Sequence, residues 1–372
     1  MRSCEDAPEL KVGRRLPALG ITMGDPAGIG PEVILKALNH TEVYQVCSPV
    51  VIGSADVLEH ELETLPAEFR GLQVKTVRSP SPTPVQPGVV FVIDPGLPGH
   101  AVVKGKLSAE CGAAAVAYVK YAWQLATERL IDGMVTAPLN KAAMHMSGHP
   151  YPGHTELLAG LFGVSKYSMV LCCGDFFVLH VTTHVPLSGV SRLITVDNVL
   201  EKIRIAAVLA LALNLTEKPI AVAALNPHAG EGGIFGREEI DIIQPAVERA
   251  RQEGINVSGP FPADAVFPKA AAGGYNFVVA MYHDQGHVPF KTLYFDRGVN
   301  VTVGLPVVRT SVDHGTAFDI AGKGIAKEDS MLQAILAAAR LAPVWDRVYS
   351  QLREAGCSGP NTGGQDNPCE HP

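Results

Sequence analysis

Seven cysteines occur among 372 residues, and no two of them are spaced Cys-x-x-Cys. Cys4, Cys47, Cys111, Cys172, Cys173, Cys357 and Cys369 therefore suit neither a disulfide framework nor a thiolate zinc site. No apolar run reaches the roughly 18 residues that a membrane helix needs, and the first residues carry no apolar signal core. Long basic runs are also missing, with 30 Lys and Arg against 37 Asp and Glu and a net charge of −7. Nucleic-acid affinity rests on clustered cations, so nucleic acid is excluded as a partner, as is a membrane. Internal repeats are absent. What is present is a hydrophobic share of 47% against 18% charged residues, enough to bury a sizeable core. At roughly 150 residues per domain, the length predicts two lobes or one large α/β unit, soluble and cytoplasmic.

Residues 1–17 and 358–372 are polar and rich in Pro or Gly, and both are expected to be disordered tails. Between them, short β-branched runs alternate with helical patterns. Strands are predicted at Ala18–Thr22, Val50–Ile52, Val89–Ile93, Gly133–Ala137, Phe177–Thr183, Ile220–Leu225 and Phe277–Tyr282. Helices are predicted at Pro31–Leu38, Ser108–Arg129, Val196–Leu213 and Arg237–Glu253, the last kinked at Pro245. This alternation implies a largely parallel, covered sheet. Antiparallel pieces are expected near Ser79–Val85.

Nine of the thirteen histidines lie between His145 and His314. His184, His228 and His283 each closely follow an apolar strand, where open α/β sheets form their ligand crevice. Three imidazoles and an open position make a catalytic site for a divalent ion; three unrelated loop histidines are the alternative. His180 shares a strand face with His184 and is expected to be a packed strand residue. It and His287 stand four residues from these three, and the spacing leaves open whether either joins the ion.

Gly-rich turns mark the same region. GDPAGIGPE (24–32) joins a strand to a helix opened by Pro31, and its backbone can hold an anion. It is not a Gly-x-Gly-x-x-Gly fingerprint. NPHAGEGGIFG (226–236) surrounds His228 with glycine. The stretch 298–324 joins Asn300, Arg309, Thr310, Ser311 and Asp313 to a His-Gly-Thr turn, expected to lead into a short helix. Arg309 can fork onto a phosphate or carboxylate.

These segments, with TAPLNK (136–141), YPGHTELLA (151–159), TTHVPL (182–187), GPFPADAVF (259–267), MYHDQGHVPFK (281–291) and RTSVDHGTAFDIAGKG (309–324), resemble the 4-hydroxythreonine-4-phosphate dehydrogenase family, the PdxA family. The likeness runs from about Leu19 to Ala342. It implies a two-lobed α/β/α fold like that of isopropylmalate and isocitrate dehydrogenases, with the active-site cleft between lobes. One lobe would be residues 18–140 plus 312–357, on the dinucleotide side; the other would be 141–311, carrying metal, substrate and dimer contacts. The implied reaction is an NAD- or NADP-dependent oxidation of a phosphorylated four-carbon hydroxy acid, a small anionic substrate, with decarboxylation.

By the same resemblance His184, His228 and His283 are the metal ligands, one of them reaching across a homodimer interface. The cation is zinc foremost, with magnesium, cobalt or manganese as alternatives. His154, Thr155, Lys291, Asn300 and Arg309 are substrate contacts; Asp313, Gly315 and Thr316 fall in the cofactor-binding turn. Lys291, Asp264 and His154 are candidates for proton work, and Lys141 lies near a strand end without an assigned role. Met23, Asn140, Tyr151 and His287 resemble the branch acting on threonate or erythronate 4-phosphate. Two alternatives remain: a cis-dihydrodiol dehydrogenase of an aromatic dicarboxylate, and a non-redox metal-dependent lyase or hydrolase.

Overall fold

The computed structural model describes residues 15–80, 85–96 and 102–359. Twelve strands form one sheet among these residues: β1 Ala18–Thr22, β2 Ser48–Ile52, β3 Gln73–Thr76, β4 Val89–Ile93, β5 Gly133–Thr136, β6 Ser168–Cys173, β7 Phe176–His180, β8 Ile220–Ala223, β9 Val257–Phe261, β10 Phe277–Ala280, β11 Val299–Val303 and β12 Val308–Val312. Their order is β3-β4-β2-β1-β5-β12-β11-β6-β7-β10-β8-β9. The chain is thus α/β. Strands such as β1, β4 and β10 are buried along their whole length, which explains their near-continuous apolar sequences.

Both ends of the sheet are parallel, but its middle is not. β11 runs antiparallel to β12 and β6, and β6 antiparallel to β7. Two parallel blocks of opposite direction therefore meet at the centre. Of the segment Ser79–Val85, where antiparallel pieces were expected, residues 81–84 lie outside the described residues, and Ser79, Pro80 and Val85 belong to no strand. The antiparallel pairing sits instead at the centre of the sheet, where VNVTV alternates apolar and polar side chains with the period of two and VRTSV holds three polar residues in a row.

Other boundaries shift for local reasons. The predicted helix 237–253 divides into a wide π-type turn at Glu239–Ile243 and an α-helix at Gln244–Gln252, with Pro245 in its first turn, where its missing N–H is harmless. No helix follows the His-Gly-Thr turn until Asp329–Leu341. Ala317, Gly322 and Gly324 all have positive φ, which breaks any helical run. Of the expected tails, 1–14 and 360–372 lie outside the described residues. Arg15 pairs with Asp132, and Ser358 donates to the Gly304 carbonyl, so these flanks are tied to the fold.

One apolar core includes Leu19 and Ile21 of β1, Val135 of β5, Val301 of β11 and Val308 of β12. Within it lies a buried ion pair. Lys36 donates to Glu32 at 2.9 Å and to the carbonyls of Gly324 and Ala326, while Glu32 accepts from the Ala326 amide. The pair thereby clamps the loop after residue 322 to the first helix, Gly30–Ala37. Lys36→Met should leave Glu32 buried and unpaired, costing about 3–5 kcal/mol in denaturant melts. Lys36→Met with Glu32→Leu should recover most of that loss; a double variant no more stable than the single one would contradict the clamp.

Candidate active site

A cavity of about 790 Å³ opens over the central strands, where strand direction reverses. Asn300 of β11, Arg309 and Ser311 of β12 and Met169 of β6 line it. The start of the helix His154–Phe162, His184 beyond β7, and the helix His283–Tyr294 beyond β10 close round it. The alternation of β11 and β12 places Asn300 opposite Ser311 and Thr302 opposite Arg309.

Arg309 is 3% exposed, and its recorded partners are hydroxyls. Its guanidinium donates to Thr136 Oγ1 at 2.7 Å, Thr302 Oγ1 at 2.9 Å and Thr155 Oγ1 at 3.3 Å. Among the described residues no carboxylate forms an ion pair with it. Burial pushes its pKa down to about 10, opposed by the charge of the nearby Glu156, and it stays charged at neutral pH. A buried cation with no carboxylate in contact is costly unless an anion arrives. Next to it, the amide hydrogens at the start of helix His154–Phe162 are suited to the same anion. His154 Nε2 and Asn300 Oδ1 are buried without partners, so two further polar atoms await a ligand. Lys291 is held by Asp313, 3.2 Å from Oδ2.

Four histidines crowd the other side. His283 and His184 face each other with ring centroids 5.8 Å apart. His283 Nδ1 lies 2.7 Å from Asp284 Oδ1. A carboxylate only accepts, so Nδ1 carries the hydrogen and Nε2 keeps its lone pair, the state a metal-binding imidazole requires. The donor set thus suits a divalent cation. Among the described residues no three His, Cys, Asp or Glu side chains gather as a metal-holding group. His180 and His287 lie alongside, both buried. Desolvation, then neighbouring imidazoles, lowers the pKa of each, that of His287 to about 4.

Of the residues singled out in the sequence, the cavity gathers His154, Thr155, His184, His283, Lys291, Asn300, Arg309 and Asp313. It does not gather His228, Asp264, Gly315 or Thr316. His228 is exposed in a loop where residues 228–232 all have positive φ. Glu239 braces that loop by accepting from the Leu225 and Asn226 amides. Asp264 is exposed in the first turn of helix Ala263–Ala271. Thr316 packs against Gly28, where a Cβ would meet its side chain at 2.9 Å, so the two Gly-rich turns touch. Thr136, Thr302 and Asp284 went unread in the sequence. Thr302 was detectable as the residue two beyond Asn300, and Asp284 as the carboxylate following His283.

Burial, then the Arg309 charge, keeps His154 neutral well below its ordinary value of 6.5. Below pH 6.5 the unfolded chain takes up a proton there that the folded chain refuses, so stability drops as the pH is lowered. The slope approaches about 1.4 kcal/mol per pH unit for this group. Melts between pH 7 and 5 should show a shallower fall in His154→Gln than in the parent; parallel curves would refute the assignment.

Residues 45–338 match the family described as pyridoxal phosphate biosynthetic protein PdxA. The chain is 52% identical over 340 residues to the D-threonate 4-phosphate dehydrogenase of Bordetella bronchiseptica (strain ATCC BAA-588 / NCTC 13252 / RB50), covering 91% of this chain and 96% of that protein. Its structure is similar to that of a 4-hydroxythreonine-4-phosphate dehydrogenase from Burkholderia phymatum, with a TM-score of 0.77 and 46% identity over 88% of this chain and 99% of the other. A terephthalate 1,2-cis-dihydrodiol dehydrogenase from Burkholderia xenovorans LB400 is similar at 30% identity, with a TM-score of 0.61 over 88% and 98% of the two chains. A match across most of the folded residues, made by a chain whose cavity combines a buried guanidinium with facing imidazoles, shows that this oxidoreductase belongs to the PdxA family.

Proposed function

We propose that the protein oxidises the secondary hydroxyl of a 4-phosphorylated four-carbon hydroxy acid of the threonate or erythronate kind, using NAD or NADP and a divalent cation, and that the resulting β-keto acid loses CO₂. The observation that carries this reading is Arg309, a buried guanidinium bonded to three threonine hydroxyls. A phosphate or carboxylate oxygen pair matches its fork. The 52% identity to a D-threonate 4-phosphate dehydrogenase supports the phosphorylated substrate over the ring diol.

In this reading Arg309, Thr155 and the amides at the start of helix His154–Phe162 take one anionic end of the substrate. Lys291 and Asn300 address the other. Neutral His154 offers hydrogen-bond capacity without adding charge. Lys291, steadied by Asp313, stands where it can hold or pass a proton at the reacting hydroxyl. His184 and His283 would hold the cation, with His228 supplied by a second copy of the chain. Ile234 and Phe235 beside His228, and Val288 and Phe295 on the helix of His283, are exposed apolar residues that such a dimer would cover. When bound, a divalent ion, zinc foremost, supplies Lewis acidity to the hydroxyl oxygen. NAD or NADP supplies the hydride acceptor, and the turn Asp313–Thr316 against Gly28 is its proposed seat. The cavity would then lie between two lobes, 18–140 with 312–357 and 141–311.

Purified protein should reduce NAD or NADP with threonate 4-phosphate or erythronate 4-phosphate, and chelation should stop it. Turnover after complete metal removal, or preference for an aromatic cis-dihydrodiol dicarboxylate, would sink the reading. No thermal shift with either dinucleotide would point to a lyase or hydrolase instead. Arg309→Met should lower kcat/KM on the order of 100-fold or more, since a charge-assisted buried contact is lost. Its melting temperature should hold or rise, because the buried charge is gone. A variant both active and less stable would mean that Arg309 is structural.

A further inference from the structure

We infer that Glu239 is a positioning residue for His228: its buried carboxylate holds the root of a strained left-handed loop, so that the His228 ring is presented outward to a cation shared with a second copy of the chain. The inference rests on the proposed function for the role of His228 as a ligand.

The loop begins where β8 ends. Its backbone is left-handed at five successive residues, His228, Ala229, Gly230, Glu231 and Gly232, with φ between 44° and 77°. Non-glycine residues visit that region singly, because Cβ then crowds the following carbonyl. Three of the five carry a Cβ, so the run does not arise from the preferences of its own residues. Such backbone persists only where its surroundings over-determine it, and it clusters at functional sites. What this run presents is an exposed imidazole, that of His228, with its ring centroid 6.4 Å from that of Phe235.

The surroundings that hold the run converge on Glu239, which is buried. Its Oε1 accepts from the Leu225 amide at 2.8 Å and the Asn226 amide at 2.7 Å, and its Oε2 accepts from Asn226 Nδ2 at 3.0 Å. The same Nδ2 donates to Glu238 Oε2 at 2.7 Å. Asn226 is therefore gripped by backbone and side chain two residues before His228. Further along the run, a Cβ at Gly230 would stand 2.7 Å from Glu239 Oε2 and 3.0 Å from the Gly236 carbonyl. The Phe235 amide donates to the Gly230 carbonyl at 3.1 Å, which closes the loop over that carboxylate. One side chain thus lies against both the root and the middle of the left-handed run. Hydrogen bonds to a carboxylate are about twice as strong as neutral ones, and groups that orient a metal-binding histidine commonly govern affinity about 10- to 100-fold.

Titration of metal-free protein with Co²⁺ alone, followed by visible absorption, tests this without substrate or dinucleotide. Glu239→Gln keeps the size and one acceptor oxygen but sets an N–H donor against Asn226 Nδ2. It should melt and sediment as the parent does and bind Co²⁺ about 10- to 100-fold more weakly. The double variant His228→Ala with Glu239→Gln should bind Co²⁺ no more weakly than His228→Ala alone, because both changes act through one ring. Additive losses, or parent affinity in Glu239→Gln, overturn the inference; so does a loss of affinity that only tracks a loss of melting temperature or association. Gly230→Ala, which presses on the same carboxylate without removing it, should weaken Co²⁺ binding in the same sense, and unchanged affinity there counts against the inference. Parent affinity in His228→Ala would remove the ligand assignment and the inference together. A weakened His228→Ala beside an unaffected Glu239→Gln would remove the inference alone.

Discussion

A buried positive charge that touches hydroxyls and no carboxylate is the constraint around which this structure is organised. Arg309 lies on a central strand, and three threonines from three separate segments give it hydroxyl oxygens, while the Glu156 carboxylate acts on it only from beyond contact. Water could solvate such a group far better than three hydroxyls can. The arrangement is therefore a poor choice for stability alone and a sensible one for capturing an anion. The surroundings follow from it: the neutral His154, the free helix start and the unpartnered Asn300 oxygen would gain little from a neutral ligand.

Across the cavity the electrostatics invert. Four imidazoles gather there, with Asp284 and Asp313 as carboxylates bonded to His283 and Lys291, and burial keeps the inner pair of rings uncharged. A cluster of neutral nitrogens beside a cationic pocket suits a guest that carries negative charge at one end and needs an electron-withdrawing centre at the other. For His283 the partner is a carboxylate on Nδ1, which leaves Nε2 as the lone pair.

Much of the fold was legible in the sequence where burial is two-sided. Ala18–Thr22 and Val89–Ile93 were predicted to the residue, because a strand covered on both faces reads as one apolar run. The central strands were not legible in this way. VNVTV and VRTSV carry polar residues toward the cavity, and glycine and proline between them suggested loops. The helix His283–Tyr294 was hidden by Gly286 and Pro289 within it. For the site, motifs pointed to Arg309, His154, Lys291 and the strand-following histidines. They could not show that His228 and Asp264 stand outside the cavity of a single chain, because loop direction is set by tertiary contacts such as Glu239 bracing Asn226.

The unbroken ladder of twelve strands beneath the cavity limits how the enzyme can move. A cleft between separately folded halves can shut like a pair of jaws about a flexible strap. Here the strap is four strands joined by three antiparallel pairings, cross-linked by backbone hydrogen bonds, and bending it sharply would tear them. Grip on a small guest must come from torsion spread along the whole ribbon and from the short segments overhanging it, such as 183–186 and 150–153. Substitutions that stiffen those overhangs would be felt in turnover well before they were felt in folding.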